Sequence, residues 1–154
     1  MRIGVAADHA GKELKQLVVE MLKLTENEVL DFGVAAESRT SVDYPDYAAL
    51  VASEVSMGKL DAGVLICGTG IGMSITANKF SGVRAAVVWD EFSTRTAKQH
   101  NDVNILCLGA RTTNHMRATE FVKLWLDLPF EGSRHTVRIN KIREIEQKLR
   151  SATK

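Results

Sequence analysis

The chain has 154 residues, 45% of them hydrophobic and 25% charged, with two prolines and eleven glycines. That is enough for one core burying roughly 70% of the unfolded surface, and it excludes a disordered or fibrous protein. Twenty Lys and Arg against nineteen Asp and Glu leave a net charge of +1, too small to draw nucleic acid by bulk attraction. No run reaches the ~18 apolar residues of a membrane helix, and the opening Met1-Arg2-Ile3-Gly4-Val5 carries no leader pattern. Cys67 and Cys107 form no disulfide framework. The expectation is one domain over residues 1–154, cytoplasmic, with reduced thiols.

Strand and helix patterns alternate along the chain. A strand over Arg2 to Ala7 precedes a helix from Gly11 to Leu24, with Leu14, Leu17, Val18, Met21 and Leu22 at helical spacing. A strand over Glu28 to Gly33 and a polar loop over Val34 to Tyr44 lead to a helix over Pro45 to Met57, opened by a proline suited to a first turn. Next come a strand over Ala62 to Cys67, a helix over Ile71 to Phe80 and a strand over Val83 to Trp89. A helix over Glu91 to His100, a strand over Asn104 to Gly109 and a helix over Asn114 to Leu126 follow, with a last helix from His135 to Arg150. This alternation predicts an α/β fold, a five-stranded parallel sheet with helices on both faces. Val64-Leu65-Ile66 and Ala85-Ala86-Val87-Val88 are apolar without alternation and are read as the central strands. From Ser133 onward seven basic residues face two acidic ones, so the tail carries +5 and the body −4. The last helix also shows an apolar stripe, Ile142, Ile145 and Leu149, which predicts docking on a neighbouring subunit.

Open parallel sheets bind ligands at the carboxyl ends of their strands. Those ends carry Asp8-His9, Cys67-Gly68-Thr69-Gly70-Ile71-Gly72, Trp89-Asp90 and Gly109-Ala110-Arg111. Glycines between a strand and a helix allow close backbone approach and leave N–H groups unpaired, which makes an anion site; the same glycines also suit a plain tight turn. Cys67 abuts those N–H groups, whose partial positive charge favours thiolate over thiol. It is read as a nucleophile or base, or else as a small core hydrophobe, the reading that fits Cys107. A dinucleotide fingerprint fails, because Met73 stands where the third glycine belongs, although Asp90 sits about where a ribose-binding acid would. His9 and His100 stand beside polar partners at helix ends near the ligand edge, whereas His115 and His135 read as capping or surface histidines. Arg134 and Arg138 share a helix face, as two guanidinium groups gripping one phosphate would or as a solvated basic face would. Neither H-E-x-x-H nor a paired C-x-x-C occurs, so no metal is expected.

Asp8-His9-Ala10-Gly11, Asp43-Tyr44-Pro45, Ile66-Cys67-Gly68-Thr69-Gly70-Ile71-Gly72, Ala77-Asn78-Lys79, His100-Asn101-Asp102, Gly109-Ala110-Arg111 and Glu131-Gly132-Ser133-Arg134-His135 together resemble the type B ribose-5-phosphate isomerases, in the family that includes the galactose-6-phosphate isomerase subunits. The resemblance implies a Rossmann-like three-layer sandwich, a homodimer or tetramer with its site between subunits, and no metal or cofactor. It also implies a step of the pentose phosphate pathway, interconversion of ribose 5-phosphate and ribulose 5-phosphate through an enediolate. It makes Cys67 the base, with Thr69 and the amides of Gly68, Gly70, Ile71 and Gly72 holding the enediolate oxygen. His100 would help open the furanose ring, Asp8 and Asn101 would bind sugar hydroxyls, and Tyr44 would line the pocket. His9, Arg111, Arg134 and Arg138 would take the phosphate. Ser133 replaces the family's usual glycine, and Trp89-Asp90-Glu91 is bulky at the fourth strand's exit. The alternatives are isomerisation of allose or galactose 6-phosphate, a non-catalytic sugar-phosphate-binding module, and a nucleotide-binding module.

Overall fold

The structure, a computed structural model, describes residues 1–35 and 37–152. Among them run β1 (Arg2–Ala7), α1 (Lys12–Lys23), β2 (Glu28–Asp31), α2 (Tyr44–Ser56), β3 (Ala62–Cys67), α3 (Ile71–Ala77), β4 (Ala85–Val87), α4 (Glu91–Asn101), β5 (Ile105–Gly109), α5 (His115–Asp127) and α6 (Arg134–Ala152). The strands form one parallel sheet in the order β2-β1-β3-β5-β4. One face buries Leu14 and Val18 of α1, Ala97 of α4, and Phe121 and Trp125 of α5. The other buries Ala48 and Val51 of α2 with Met73 and Ala77 of α3. This is the three-layer α/β sandwich that the alternation predicts.

The order fixes where a ligand crevice opens. From β1 the chain turns to α1 on one face and β2 on one side; from β2 it returns by α2 on the other face to β3 on β1's far side. The strand order therefore reverses between β1, which Asp8 follows, and β3, which ends at Cys67.

The fourth strand departs from expectation. It is a short edge strand rather than a central one, because β5 takes the place beside β3, with Cys107 opposite Leu65. An unbroken apolar run reports that both faces are covered; it carries no information about neighbours along both edges. The outer edge of β4 is closed instead by a side chain. Asn78 Nδ2 donates to the Ala85 carbonyl at 2.8 Å, while Asn78 Oδ1 accepts the Ala85 N–H at 2.9 Å. The same turn ends α3 at Ala77, three residues before the predicted Phe80. Beyond β4, Asp90 accepts the Ser93 N–H at 2.7 Å as the N-cap of α4. That bond holds its carboxyl below the ordinary value and gives the acid a structural partner in place of a ribose. At the far end of the chain, α6 is tied back to its own body: Glu146 accepts the Gly82 N–H at 2.9 Å and Arg150 donates to Ser81 Oγ. Ile139 is buried, whereas Ile142, Ile145 and Leu149 are exposed.

Candidate functional site

The exits of β1, β3 and β5 form one continuous edge. The Asp8 N–H donates to the Ile66 carbonyl at 3.2 Å, the Ala110 N–H to Cys67 at 2.9 Å and the Arg111 N–H to Gly68 at 3.0 Å. Asp8 is buried, and its Oδ1 accepts the N–H groups of Ala10 at 2.9 Å and Gly11 at 3.2 Å, turning the chain into α1. Beside it Cys67, 5% exposed, accepts the Gly70 N–H on Sγ at 3.1 Å. The sulfur is therefore held as an acceptor beneath the glycine loop. Gly70 adopts φ 77°, and a Cβ there would sit 3.0 Å from the Leu108 backbone, so both conformation and space demand glycine. The exposed Thr69 turns its Oγ1 inward to accept the Ile71 N–H at 3.3 Å. Cys107 lies wholly in the core, where burial pushes its thiol up and leaves it protonated.

Three further predicted residues gather at this edge. Tyr44, at the start of α2, lays its ring on Gly72, where an added Cβ would come within 2.5 Å of two ring carbons. His9 Nδ1 lies 3.1 Å from the Val42 carbonyl and 3.2 Å from the Val42 N–H, which pins the ring to the loop leading into α2. The Arg111 guanidinium lies over Gly68, with Nη1 3.4 Å from where a Cβ would stand. A thiol, a loop of amides, a carboxylate, an imidazole, a phenol and a guanidinium thus gather along one edge of the sheet.

His100, Asn101, Arg134 and Arg138 do not join them. The expectation that His100 lies near the ligand edge is corrected by direction: α4 starts at the carboxyl end of β4 and, after roughly 16 Å of helix, ends where β5 begins. Arg84, at the foot of β4, donates to the Asn101 carbonyl at 3.0 Å, while Asn101 Nδ2 donates back to Thr96 at 3.1 Å. The chain returns there after α5, with the Glu131 N–H donating to the Gln99 carbonyl at 3.0 Å. Gly132 and Ser133 then take positive φ, 65° and 51°, to start α6, so the serine occupies a conformation that favours glycine.

His135 overturns its reading as a surface histidine. It is 3% exposed and stacks on His100, with ring centroids 4.2 Å apart and planes within 9°. Arg134 Nε lies 3.4 Å from His135 Nε2, and Arg138 Nη1 lies 3.4 Å from Nδ1. Glu131 Oε2 lies 3.8 Å from Nε2 of both histidines. Burial, then His100 and the two arginines, hold His135 below its ordinary value, against the opposing pull of Glu131. His100, Glu131 and His135 have the residue types of a metal site. Near-parallel rings, however, send their nitrogen lone pairs side by side rather than toward one point, and two guanidinium groups repel a cation. The cluster suits an anion instead. Sequence reasoning missed His135, although Ile139 stands four residues on, the spacing of one helix face, and is buried with it.

Comparison with known proteins identifies the family. The family model described as Ribose/Galactose Isomerase matches residues 3–142. Ribose-5-phosphate isomerase B of Escherichia coli is 44% identical over 147 residues, covering 96% of this chain and 97% of that protein. Among solved structures, ribose-5-phosphate isomerase B of Clostridium thermocellum superposes with a TM-score of 0.92 at 46% identity, covering 97% of this chain and 99% of that one. The Mycoplasma genitalium ribose-5-phosphate isomerase B with bound ribulose-5-phosphate gives a TM-score of 0.90 at 41% identity, with coverages of 95% and 96%. Since the family model and full-length relatives above 40% identity agree, the chain belongs to the ribose/galactose isomerase family.

Proposed function

We propose that this protein interconverts ribose 5-phosphate and ribulose 5-phosphate, in sites assembled from two copies of the chain. The observation that carries the reading is the division of the site. A sulfur under amide donors lies at one end of the sheet, and a histidine–arginine cluster fit for a phosphorylated sugar lies at the other. A second copy, docked along the exposed stripe of α6, would bring the cluster of one chain to the crevice of its neighbour. The names of the relatives, and the ribulose 5-phosphate bound to one of them, support the substrate.

In this reading the furanose opens first. The anomeric hydroxyl gives its proton to the Asp8 carboxylate, the C1–O4 bond breaks with its electron pair passing to O4, and His100 protonates O4. The Cys67 thiolate then takes the proton from C2. The electron pair moves through C1 to the aldehyde oxygen, where Thr69 and the loop amides meet the developing charge. Thr69 relays the hydroxyl proton from O2 to O1, and Cys67 returns its own proton to C1 as the C2 carbonyl forms. Arg134, Arg138, Arg111 and His9 hold the phosphate, with Tyr44 and Asn101 against the sugar.

Product identification with ribose 5-phosphate and galactose 6-phosphate side by side tests the substrate. Turnover of the pentose at a kcat/KM well above that of the hexose is expected; the reverse order would assign the hexose. Cys67→Ala should lower kcat by about a hundredfold or more, and near wild-type turnover would remove the thiol as base.

A further inference from the structure

His135 belongs to no element of that mechanism, yet it is the most enclosed member of the second cluster. The His100 imidazole lies flat against one face of its ring, and each ring nitrogen meets one arginine of the phosphate grip. Glu131 stands at equal distance from the two imidazoles and fixes the approach from the α5–α6 turn. His100 itself is partly exposed in the last turn of α4, where a histidine without support would sample several rotamers. We infer that His135 is a positioning residue for ring opening: its buried ring is the plate on which His100 is held, in register with the two arginines that carry the phosphate. The inference rests on the proposed isomerase reading and adds a division of labour to it. The chain spans two tasks, gripping a phosphate and protonating a ring oxygen, and one buried imidazole sets the distance between the groups that do them.

The chemistry supplies a way to separate these tasks. Ribose 5-phosphate must be opened, whereas ribitol 5-phosphate is acyclic, keeps the phosphate and hydroxyls, and cannot react. His135→Leu removes both the stacking plate and the nitrogen contacts; His135→Phe keeps the plate alone. Titration calorimetry with ribitol 5-phosphate gives the fraction of competent sites from its stoichiometry and the affinity from its Kd, so partial misfolding does not obscure either variant. Per competent site, His135→Leu should lower kcat on ribose 5-phosphate by about tenfold or more, with the Kd for ribitol 5-phosphate changed less than about threefold, and His135→Phe should recover most of the loss. A Kd that weakens as much as kcat falls would overturn the inference in favour of a role in phosphate binding or folding. A kcat within threefold of wild type in His135→Leu, or no recovery in His135→Phe, would overturn it as well. If wild type itself fails to turn over ribose 5-phosphate, the parent reading falls, which is distinct from wild-type turnover with unaffected variants.

Discussion

At the scale of single residues the site is set by what has been left out. Gly72 carries no side chain, so the Tyr44 ring can lie against the loop; a Cβ would stand 2.5 Å from two of its carbons. Gly72→Ala therefore displaces the ring and should raise KM by about tenfold, as expected when a positioning contact in a binding pocket is lost. Introduced into a Tyr44→Ala background it should change KM much less, and equal effects in both backgrounds would show that the ring and the loop are not coupled. His135 shows the opposite case, a polar side chain shut away from the surface. Its pKa is held below the ordinary 6.5, so as pH falls through that value the unfolded chain takes up a proton that the folded chain refuses. His100 faces it from α4, Glu131 from the turn, and Arg134 and Arg138 from its own helix. Stability should fall from pH 7.5 to 5.5, and the denaturant midpoint of His135→Phe should fall less steeply over the same range. The place of Cys67 beneath a turn of amides was legible because glycines follow it at once. His135 was not, since a histidine set among Arg134, Thr136 and Arg138 reads as part of a polar face, although Ile139 one turn on is buried with it.

At the scale of elements, the pattern of apolar residues located every strand and helix core but not the order of the strands. The runs at Val64 and Ala85 look alike as strings, yet one becomes the middle of the sheet and the other its border. What distinguishes them is non-local, the choice of β5 to pair with β3, and the only trace in sequence is the asparagine ahead of β4. Asn78 supplies the donor and acceptor that a neighbouring strand would have offered Ala85. Asn78→Ala should lower unfolding free energy by about 0.5–1.5 kcal/mol, the worth of hydrogen bonds that water partly replaces. Urea denaturation measures it; an unchanged midpoint would mean that the pairing contributes nothing at this edge. The direction of α4 follows from the same logic. Periodicity gives a helix its length, and only the parallel sheet says which end of the molecule its last turn reaches, which is why His100 was misplaced in the reading of the sequence alone.

At the scale of the whole molecule, the two halves of the candidate site lie at opposite ends of one sheet, so the proposed chemistry requires more than one copy. A testable consequence follows from the symmetry of a two-fold pair, in which each crevice takes its thiol from one chain and its histidine–arginine cluster from the other. Cys67→Ala and His100→Gln are each expected to be nearly inactive by themselves. When the two variants are co-expressed in equal amounts and pair at random, half of the pairs are mixed. In a mixed pair one crevice carries both lesions and the other carries neither, so about a quarter of all sites are intact and about a quarter of wild-type activity should return. A site built within one chain predicts no recovery, because every crevice would then keep one lesion. Activity of the co-expressed sample that stays at the level of the separate variants would place thiol and imidazole in the same copy, and would require α4 to reach the carboxyl edge of its own sheet.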